Sequence, residues 1–531
     1  MNARKLFTLC FALLVLVLPA CSPAAHTAVP LAQEPRQSEN QPQTQAPAAV
    51  EPARPEPTAA PRQPREQEPA YSPTATLAGD NEFLDYGVNP EVDASRDNLS
   101  TFALDVDTAS YAVARRYIED GSLPPYDAVR VEEFVNAFDQ GYEAPSDAAF
   151  TIYADGAPAP QGFEGGNYIL RFGVQGYRVP DRDRKPSSLT FVIDVSGSMS
   201  MENRLELVKD SLHLLVDRLD GRDTVAVVVY GTDARVVLDP TTADRKREIL
   251  HAIDRLSPEG STNAEAGLRL GYKLAMRAYK AGGNNRVILC SDGVANVGQT
   301  EADAILEEVA GYVKEGINLT TIGVGMGNFN DVLLEQLADN GDGNYAYVDT
   351  LDEARKVFVY DLTSTLQVIA RDAKVQVDFN PDVVRSYRLL GYENRAVADQ
   401  DFRDDSVDAG ELGAGHSAAA VYMVTFNEGA EGRIATVQLR WDDPEKGEVR
   451  EMNGNFNTWD LAGRFEDASP RFQLVVTVAQ FAEILRESPY VNDITLRDLA
   501  RRAQRIANQI PEDEQVSEFA DLVTRAARLS R

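Results

Sequence analysis

The sequence predicts an α/β chain: a Rossmann-like, doubly wound parallel sheet in the middle, β-rich sandwich-like segments on either side, and a helical region at the carboxyl end. Three observations carry this prediction. From about Ser187 to Thr365, short apolar runs alternate with amphipathic stretches of helical period, the pattern of βαβ units. The segments before and after that region hold strand-length runs of another kind. Beyond Phe472, apolar residues recur along single helical faces.

In chain order, Met1-Asn2-Ala3-Arg4-Lys5 leads into an apolar run from Leu6 to Leu18, broken only by Thr8 and closing on Leu18-Pro19-Ala20-Cys21. Residues 1–20 therefore read as a signal peptide, too short to span a membrane. The small residue before Cys21 resembles a bacterial lipobox, which implies a lipidated, palmitate-bearing Cys21; the alternative is an ordinary residue near a secretory cut. Residues 21–75 read as a disordered tether. From 22 to 75 there are 12 of the 28 prolines and no Phe, Trp, Ile or Met, so nothing is available to bury. Such a tether reaches from about 40 Å as a coil to about 170 Å as polyproline helix.

Residues 76–150 read as a small α/β segment: a strand over Thr101–Asp107, a helix opening at Thr108, a Leu123-Pro124-Pro125 turn, and a second helix with Val131, Phe134, Val135 and Phe138 on one face. On a strand Asp105 and Asp107 share a face, which invites a metal; the reading adopted is that Asp107 caps the following helix. Residues 151–186 are β-rich, with a strand over Asn167–Val174. The α/β domain spans 187–366, with strands at Leu189–Asp194, Thr224–Tyr230, Arg235–Leu238, Arg286–Leu289, Leu319–Val324 and Tyr345–Val348, and helices such as Leu205–Leu219 and Ala264–Tyr279.

Residues 367–531 begin with strands at Ala373–Phe379, Arg385–Gly391, Ala418–Phe426 and Arg433–Trp441. A polar loop over Asp399–Gly415 interrupts them; its Asp401, Asp404, Asp405 and Asp408 do not have EF-hand spacing and read as solvated. Helices close the chain: one with Phe472, Val475, Val476, Ala479 and Ala482 on a face, then Leu496–Ile506 and Phe519–Leu529. If the strands on both sides of the central region pair in one antiparallel sandwich, with Asn167–Val174 expected to share a sheet with Ala373–Phe379, the α/β domain is an insertion whose two ends lie close together.

Lysine and arginine number 52 against 83 aspartates and glutamates, a net charge of −31, which makes nucleic acid a poor partner. Of Cys10, Cys21 and Cys290, only the last lies in the folded part, on a presumed central strand, and reads as a buried inert thiol. No later stretch reaches eighteen consecutive apolar residues, so no pore-forming span is expected.

Three loops gather at strand ends of the central region: Asp194-Val195-Ser196-Gly197-Ser198, Gly260-Ser261-Thr262 and Ser291-Asp292-Gly293. In a doubly wound sheet the carboxyl edge is where ligands sit. The oxygens of Asp194, Ser196, Ser198, Thr262 and Asp292 suit a hard divalent cation, magnesium first, manganese or calcium as alternatives. The competing reading is helix capping by Asp194 and Ser196 and a turn at Asp292.

These five residues match, in order, the signature of a von Willebrand factor type A domain with a metal-ion-dependent adhesion site (MIDAS), which the central region resembles. Asp105–Tyr111, Ala128–Phe134, Leu389–Arg395 and Asp408–His416 further resemble a bacterial lipoprotein family carrying that domain, YfbK-like and labelled calcium-activated chloride channel homologues. The resemblance runs from about residue 80 to the end. It implies that Ser196, Ser198 and Thr262 offer hydroxyls to the ion, with Asp194 and Asp292 binding directly or through water, and that an acidic side chain of a partner protein completes the sphere. Ser198 is followed by Met199-Ser200-Met201-Glu202 and not by paired acids, so the resemblance does not extend to an adjacent second metal site.

The function expected is a non-catalytic adhesion or scaffold role in the cell envelope, attached to the membrane through the lipid anchor only. Ser22 after the cysteine implies an outer-membrane lipoprotein facing the periplasm if the organism has two membranes. The alternatives are a metal-dependent hydrolase and a channel-associated regulator. Against the first, there is no His-Glu-x-x-His, phosphate loop, Gly-x-Ser-x-Gly or CxxC, and of the four histidines His416, after the glycine-rich loop, is the one that invites attention.

Overall fold

The computed structural model describes residues 74–78, 81–293, 299–327, 329–360 and 366–530. The expected signal peptide, Cys21 and the tether up to residue 73 lie outside the described residues. A strand starts at Thr74, inside the last two residues expected to belong to the tether. The first flank comprises β1 (Thr74–Ala78), β2 (Asn81–Asp85), β3 (Val92–Asp93), β4 (Leu99–Ala103), α1 (Ala109–Glu119), α2 (Val131–Asn136), β5 (Phe150–Pro158) and β6 (Tyr168–Gly176). The central region runs β7 (Ser187–Asp194), α3 (Arg204–Arg218), β8 (Thr224–Tyr230), β9 (Ala234–Thr242), α4 (Lys246–Asp254), α5 (Ala264–Arg277), β10 (Asn284–Ser291), α6 (Gln299–Val313), β11 (Asn318–Val324), α7 (Asp331–Asp339), β12 (Tyr345–Val348) and α8 (Leu351–Arg355). The second flank holds β13 (Val368–Phe379), β14 (Val384–Leu390), β15 (Gly410–Gly413), β16 (Ser417–Phe426), β17 (Arg433–Asp443) and β18 (Glu448–Asn457), then α9 (Pro470–Leu485), α10 (Leu496–Ala507) and α11 (Glu514–Leu529).

The central strands form one sheet in the order β12-β11-β10-β7-β8-β9, parallel except for β9. Alternate residues of β7 serve opposite faces: Leu189, Phe191 and Ile193 pack with Leu205, Leu212 and Leu215 of α3, while Val192 packs with Leu268 and Tyr272 of α5. Both faces are covered, which is why these strands read as continuous apolar runs. Helix α5 lies so close that a Cβ at Gly271 would stand 2.3 Å from Val192 Cγ2, and one at Gly267 2.6 Å from the Tyr230 ring. Gly271→Ala is therefore expected to cost about 1–3 kcal/mol by overpacking, measured by denaturant unfolding. An unshifted midpoint would mean that the helix can lift off the sheet freely.

The flanking strands build a two-sheet sandwich, β3-β14-β16-β6-β5 over β15-β13-β17-β18, with β4 also paired to β13. Its core joins Phe172, Val174 and Tyr422 of one sheet to Val375, Val377 and Phe379 of the other. The expected sharing of a sheet by Asn167–Val174 and Ala373–Phe379 is not found. Strand β6 pairs with β16 and β5, and β13 faces it across the core. Alternation of side chains tells which face is buried but not which strand is the neighbour. The insertion topology itself holds: the chain leaves after β6 and returns into β13, where the Lys185 amide donates to Gln367 Oε1 at 3.3 Å.

On the outer face of the β6–β16 sheet, Ile169, Ala419, Val421 and Met423 pack against α2, α9, α10 and α11. Helix α9 is tied to β14 by an ionic cluster: Glu483 Oε2 accepts from Arg388 Nη2 at 2.8 Å and from Ser488 Oγ at 2.7 Å, and Glu483 Oε1 pairs with Arg486. Among the described residues no helix is long and apolar enough to cross a membrane.

The structure corrects the reading of Asp105 and Asp107. Strand β4 ends at Ala103, so neither lies on a strand. Asp107 does not cap α1; its Oδ1 accepts the Tyr345 amide at 3.1 Å, and the N-terminal amide of Ser110 is satisfied by Glu133 Oε2 at 2.8 Å. A short strand, β15, also sits inside the loop expected over Asp399–Gly415.

Candidate metal centre

Strand β7 delivers Asp194, fully buried, to the carboxyl edge of the central sheet. Its two oxygens are used differently: Oδ1 accepts the Ser196 amide at 2.7 Å, and Oδ2 accepts Ser291 Oγ, from the end of β10, at 3.0 Å. The hydroxyls of Ser196 and Ser198 stand 3.0 Å apart. The loop carrying Thr262 is fastened to the same place through its backbone, by Gly197 N to Gly260 O at 3.2 Å and Asn263 N to Gly231 O at 3.0 Å. Asn263 then caps α5 by accepting the Ala266 amide, which fixes the half-buried Thr262 at the helix entrance.

Asp292 is likewise fully buried. Its Oδ2 accepts from Arg204 Nη1 at 2.7 Å, whereas Oδ1 has no hydrogen-bond partner among the described residues. A buried carboxylate oxygen without a donor carries a desolvation cost that a cation would remove. Burial, reinforced by the nearby Asp292 charge, pushes the Asp194 carboxyl up to about 6 despite its bonds from Ser196 and Ser291. Paired buried carboxyls beside hydroxyls, one oxygen unmet, fit a hard divalent cation held by Asp194, Ser196, Ser198, Thr262 and Asp292.

The sequence reading missed Arg204, and it named Ser291 within the third loop without its role as donor to Asp194. Glu202 and Asn203 both adopt left-handed backbone conformations, at φ 51° and 60°, and so turn the chain to start α3 with Arg204 facing Asp292. Arg204 also donates to Met326 O. A signal existed: a cation at the first position of a helix opposes the macrodipole and calls for a carboxylate elsewhere. Cys290, next to the site on β10, is buried, and burial pushes its thiol up to about 12, in keeping with an inert packing role.

His416 lies away from this edge. Its Nδ1 accepts the Gly413 amide at 3.2 Å, and burial, with Arg286 nearby, lowers its pKa to about 4. The unfolded chain thus binds a proton that the folded chain refuses between about pH 4 and 6.5, so stability rises with pH across that window. Acidification through it is expected to cost up to about 3 kcal/mol, and His416→Gln to flatten the profile in chemical unfolding at stepped pH. An unchanged slope would assign it to other groups.

Three family models match: "von Willebrand factor" over residues 78–165, "von Willebrand factor type A domain" over 188–360, and "Uncharacterized protein YfbK, C-terminal" over 364–433 and 427–529. The Escherichia coli (strain K12) protein YfbK is 34% identical over 475 residues, covering 84% of this chain and 81% of that one. Human inter-alpha-trypsin inhibitor heavy chain H3 is 27% identical over 186 residues, 34% of this chain and 20% of its own length. Among solved structures, a von Willebrand factor type A protein from Catenulispora acidiphila aligns over 72% of this chain and 90% of its own, at 16% identity and a TM-score of 0.41.

Proposed function

The chain belongs to the YfbK family and contains a von Willebrand factor type A domain, and from that premise we propose that it is a lipid-anchored protein of the cell envelope that binds a partner protein through a divalent-cation site, without turnover. The observation that carries this reading is the unmet Oδ1 of Asp292, buried beside Asp194 and the paired hydroxyls of Ser196 and Ser198. A magnesium or manganese ion bound there supplies a Lewis-acidic position open to an outside carboxylate. The chain's own residues hold that position in place: Ser291 and the Ser196 amide fix Asp194, Arg204 fixes one oxygen of Asp292, and the Gly197–Gly260 bond locks the Thr262 loop. Neutral hydroxyls leave the ion only partly neutralised, which favours recruitment of an acidic side chain. The lipobox-like run before Cys21 supports the anchor, and Ser22 supports an outer-membrane address.

The experiment is calorimetry and affinity capture with the purified chain. Manganese uptake at this site and capture of an envelope protein are both expected to vanish in Asp194→Ala, with the fold intact by circular dichroism, and capture to vanish in chelator. Capture that survives both treatments would overturn the proposal.

A further inference from the structure

A second group of carboxyls lies where the first flank, the central domain and the second flank meet. Asp105, in the β4–α1 loop, and Glu132 and Glu133, in the first turn of α2, each place a carboxylate oxygen within 4.8 Å of the others', and all three are buried. Oxygens no farther apart than this can lie on one calcium coordination sphere, whose bonds are about 2.4 Å. Two guanidinium groups serve the neighbourhood. Arg130 pairs with Glu133, with Asp331 at 2.7 Å and with Glu335 at 3.6 Å; Arg395 reaches Asp105 at 3.5 Å, Asp107 at 3.7 Å, Glu335 at 3.5 Å and Asp339 at 2.9 Å. Carboxylates outnumber cations there, in a place where charge is expensive to leave unbalanced.

The oxygens left over point to a ligand. Glu132 is 1% exposed; its Oε2 accepts the Tyr392 amide at 2.9 Å, but Oε1 has no hydrogen-bond partner among the described residues. The neighbouring charge on Glu132 is a like one, Glu393, itself engaged by Arg486. Asp105 is 5% exposed; Oδ1 accepts the Asp107 amide at 2.9 Å, and among the described residues Oδ2 has no hydrogen-bond donor, the Arg395 guanidinium standing 3.5 Å away. A cavity of about 270 Å³ is lined by Tyr86, Glu393 and the same Arg130 that pairs with Glu133.

We propose that Asp105, Glu132 and Glu133 bind one hard divalent cation of the calcium class, separate from the site at Asp194, which staples the β4–α1 loop to α2 at the junction of the three regions. The ion is structural: Glu133 also holds the start of α1 through the Ser110 amide, and Glu132 holds the second flank through the Tyr392 amide.

The test is calcium and manganese binding to the full chain by equilibrium dialysis, in the wild type, Asp194→Ala, Glu132→Gln and the double variant. The expected occupancies at saturation are two ions, one, one and none. A wild type that binds a single ion, lost completely in Asp194→Ala, would overturn this proposal and leave the site at Asp194 standing; loss confined to Glu132→Gln would do the reverse. If Glu132→Gln does not fold, crystals of the wild type soaked in manganese decide the matter. An anomalous peak among Asp105, Glu132 and Glu133 supports the proposal, and its absence there beside a peak at Asp194 overturns it.

Discussion

Replacing Glu483 with alanine is expected to lower stability by about 3–5 kcal/mol, because it strands the buried Arg388 guanidinium and leaves Arg486 with Glu393 as its remaining carboxylate. Arg388 and Glu483 are both completely inaccessible, and Arg486 nearly so. Arg388 keeps a contact over the Tyr490 ring, 4.2 Å from its centroid, but that cannot replace a carboxylate. Burial alone would raise the Glu483 pKa; Arg486 and Arg388 overcome it and hold the group below its ordinary value. The sign follows: the contribution is complete above the unfolded value near 4.5 and is lost as pH falls through the lower folded value. Urea unfolding at neutral pH checks the magnitude. A loss below about 1 kcal/mol would show that water reaches the cluster once the carboxylate is gone.

Arg204→Met is expected to cost about as much, roughly 3–5 kcal/mol in chelator, since it leaves Asp292 buried without a cation. Magnesium should then narrow the gap to wild type. With the guanidinium gone, the full charge of Asp292 faces the ion, and tighter binding to the folded state stabilises it by mass action, about 2.7 kcal/mol at a hundredfold excess over Kd. Thermal unfolding with and without magnesium reads both effects. A gap that widens on adding the ion would mean that the guanidinium matters more as the clamp orienting Asp292 than as a rival charge.

How much of this could be read in advance differs by element, for physical reasons. Strands β8 and β12 match their expected bounds and β7 and β11 nearly so, because burial on both faces writes an unbroken apolar run, whereas β10 extends two polar or small residues beyond each end of the expected Arg286–Leu289. Strand β18, Glu-Val-Arg-Glu-Met-Asn-Gly-Asn-Phe-Asn, is a solvent-facing edge whose polar residues read as loop, and β5 is an edge of the other sheet. Asp194, Ser196 and Ser198 were legible because their spacing is local, and Thr262 and Asp292 because each sits in a short loop of the same signature, Asp292 just after an apolar strand run. What escaped were long-range pairings: Asp107 with Tyr345, Glu133 with Ser110, Arg204 with Asp292. None has a periodic signature, and each depends on which elements the fold brings side by side.

Because the polypeptide departs for the central domain beside Lys185 and comes back beside Gln367, a pull exerted on that domain reaches the sandwich through twin stems at neighbouring points. Ala414 grips the returning stem through Gln367 O at 2.9 Å, and Gln175, on the departing strand, grips Gly415 O at 2.9 Å. Tension thereby enters the sandwich at paired attachments, one on β6 of the first sheet and one on β13 of the second.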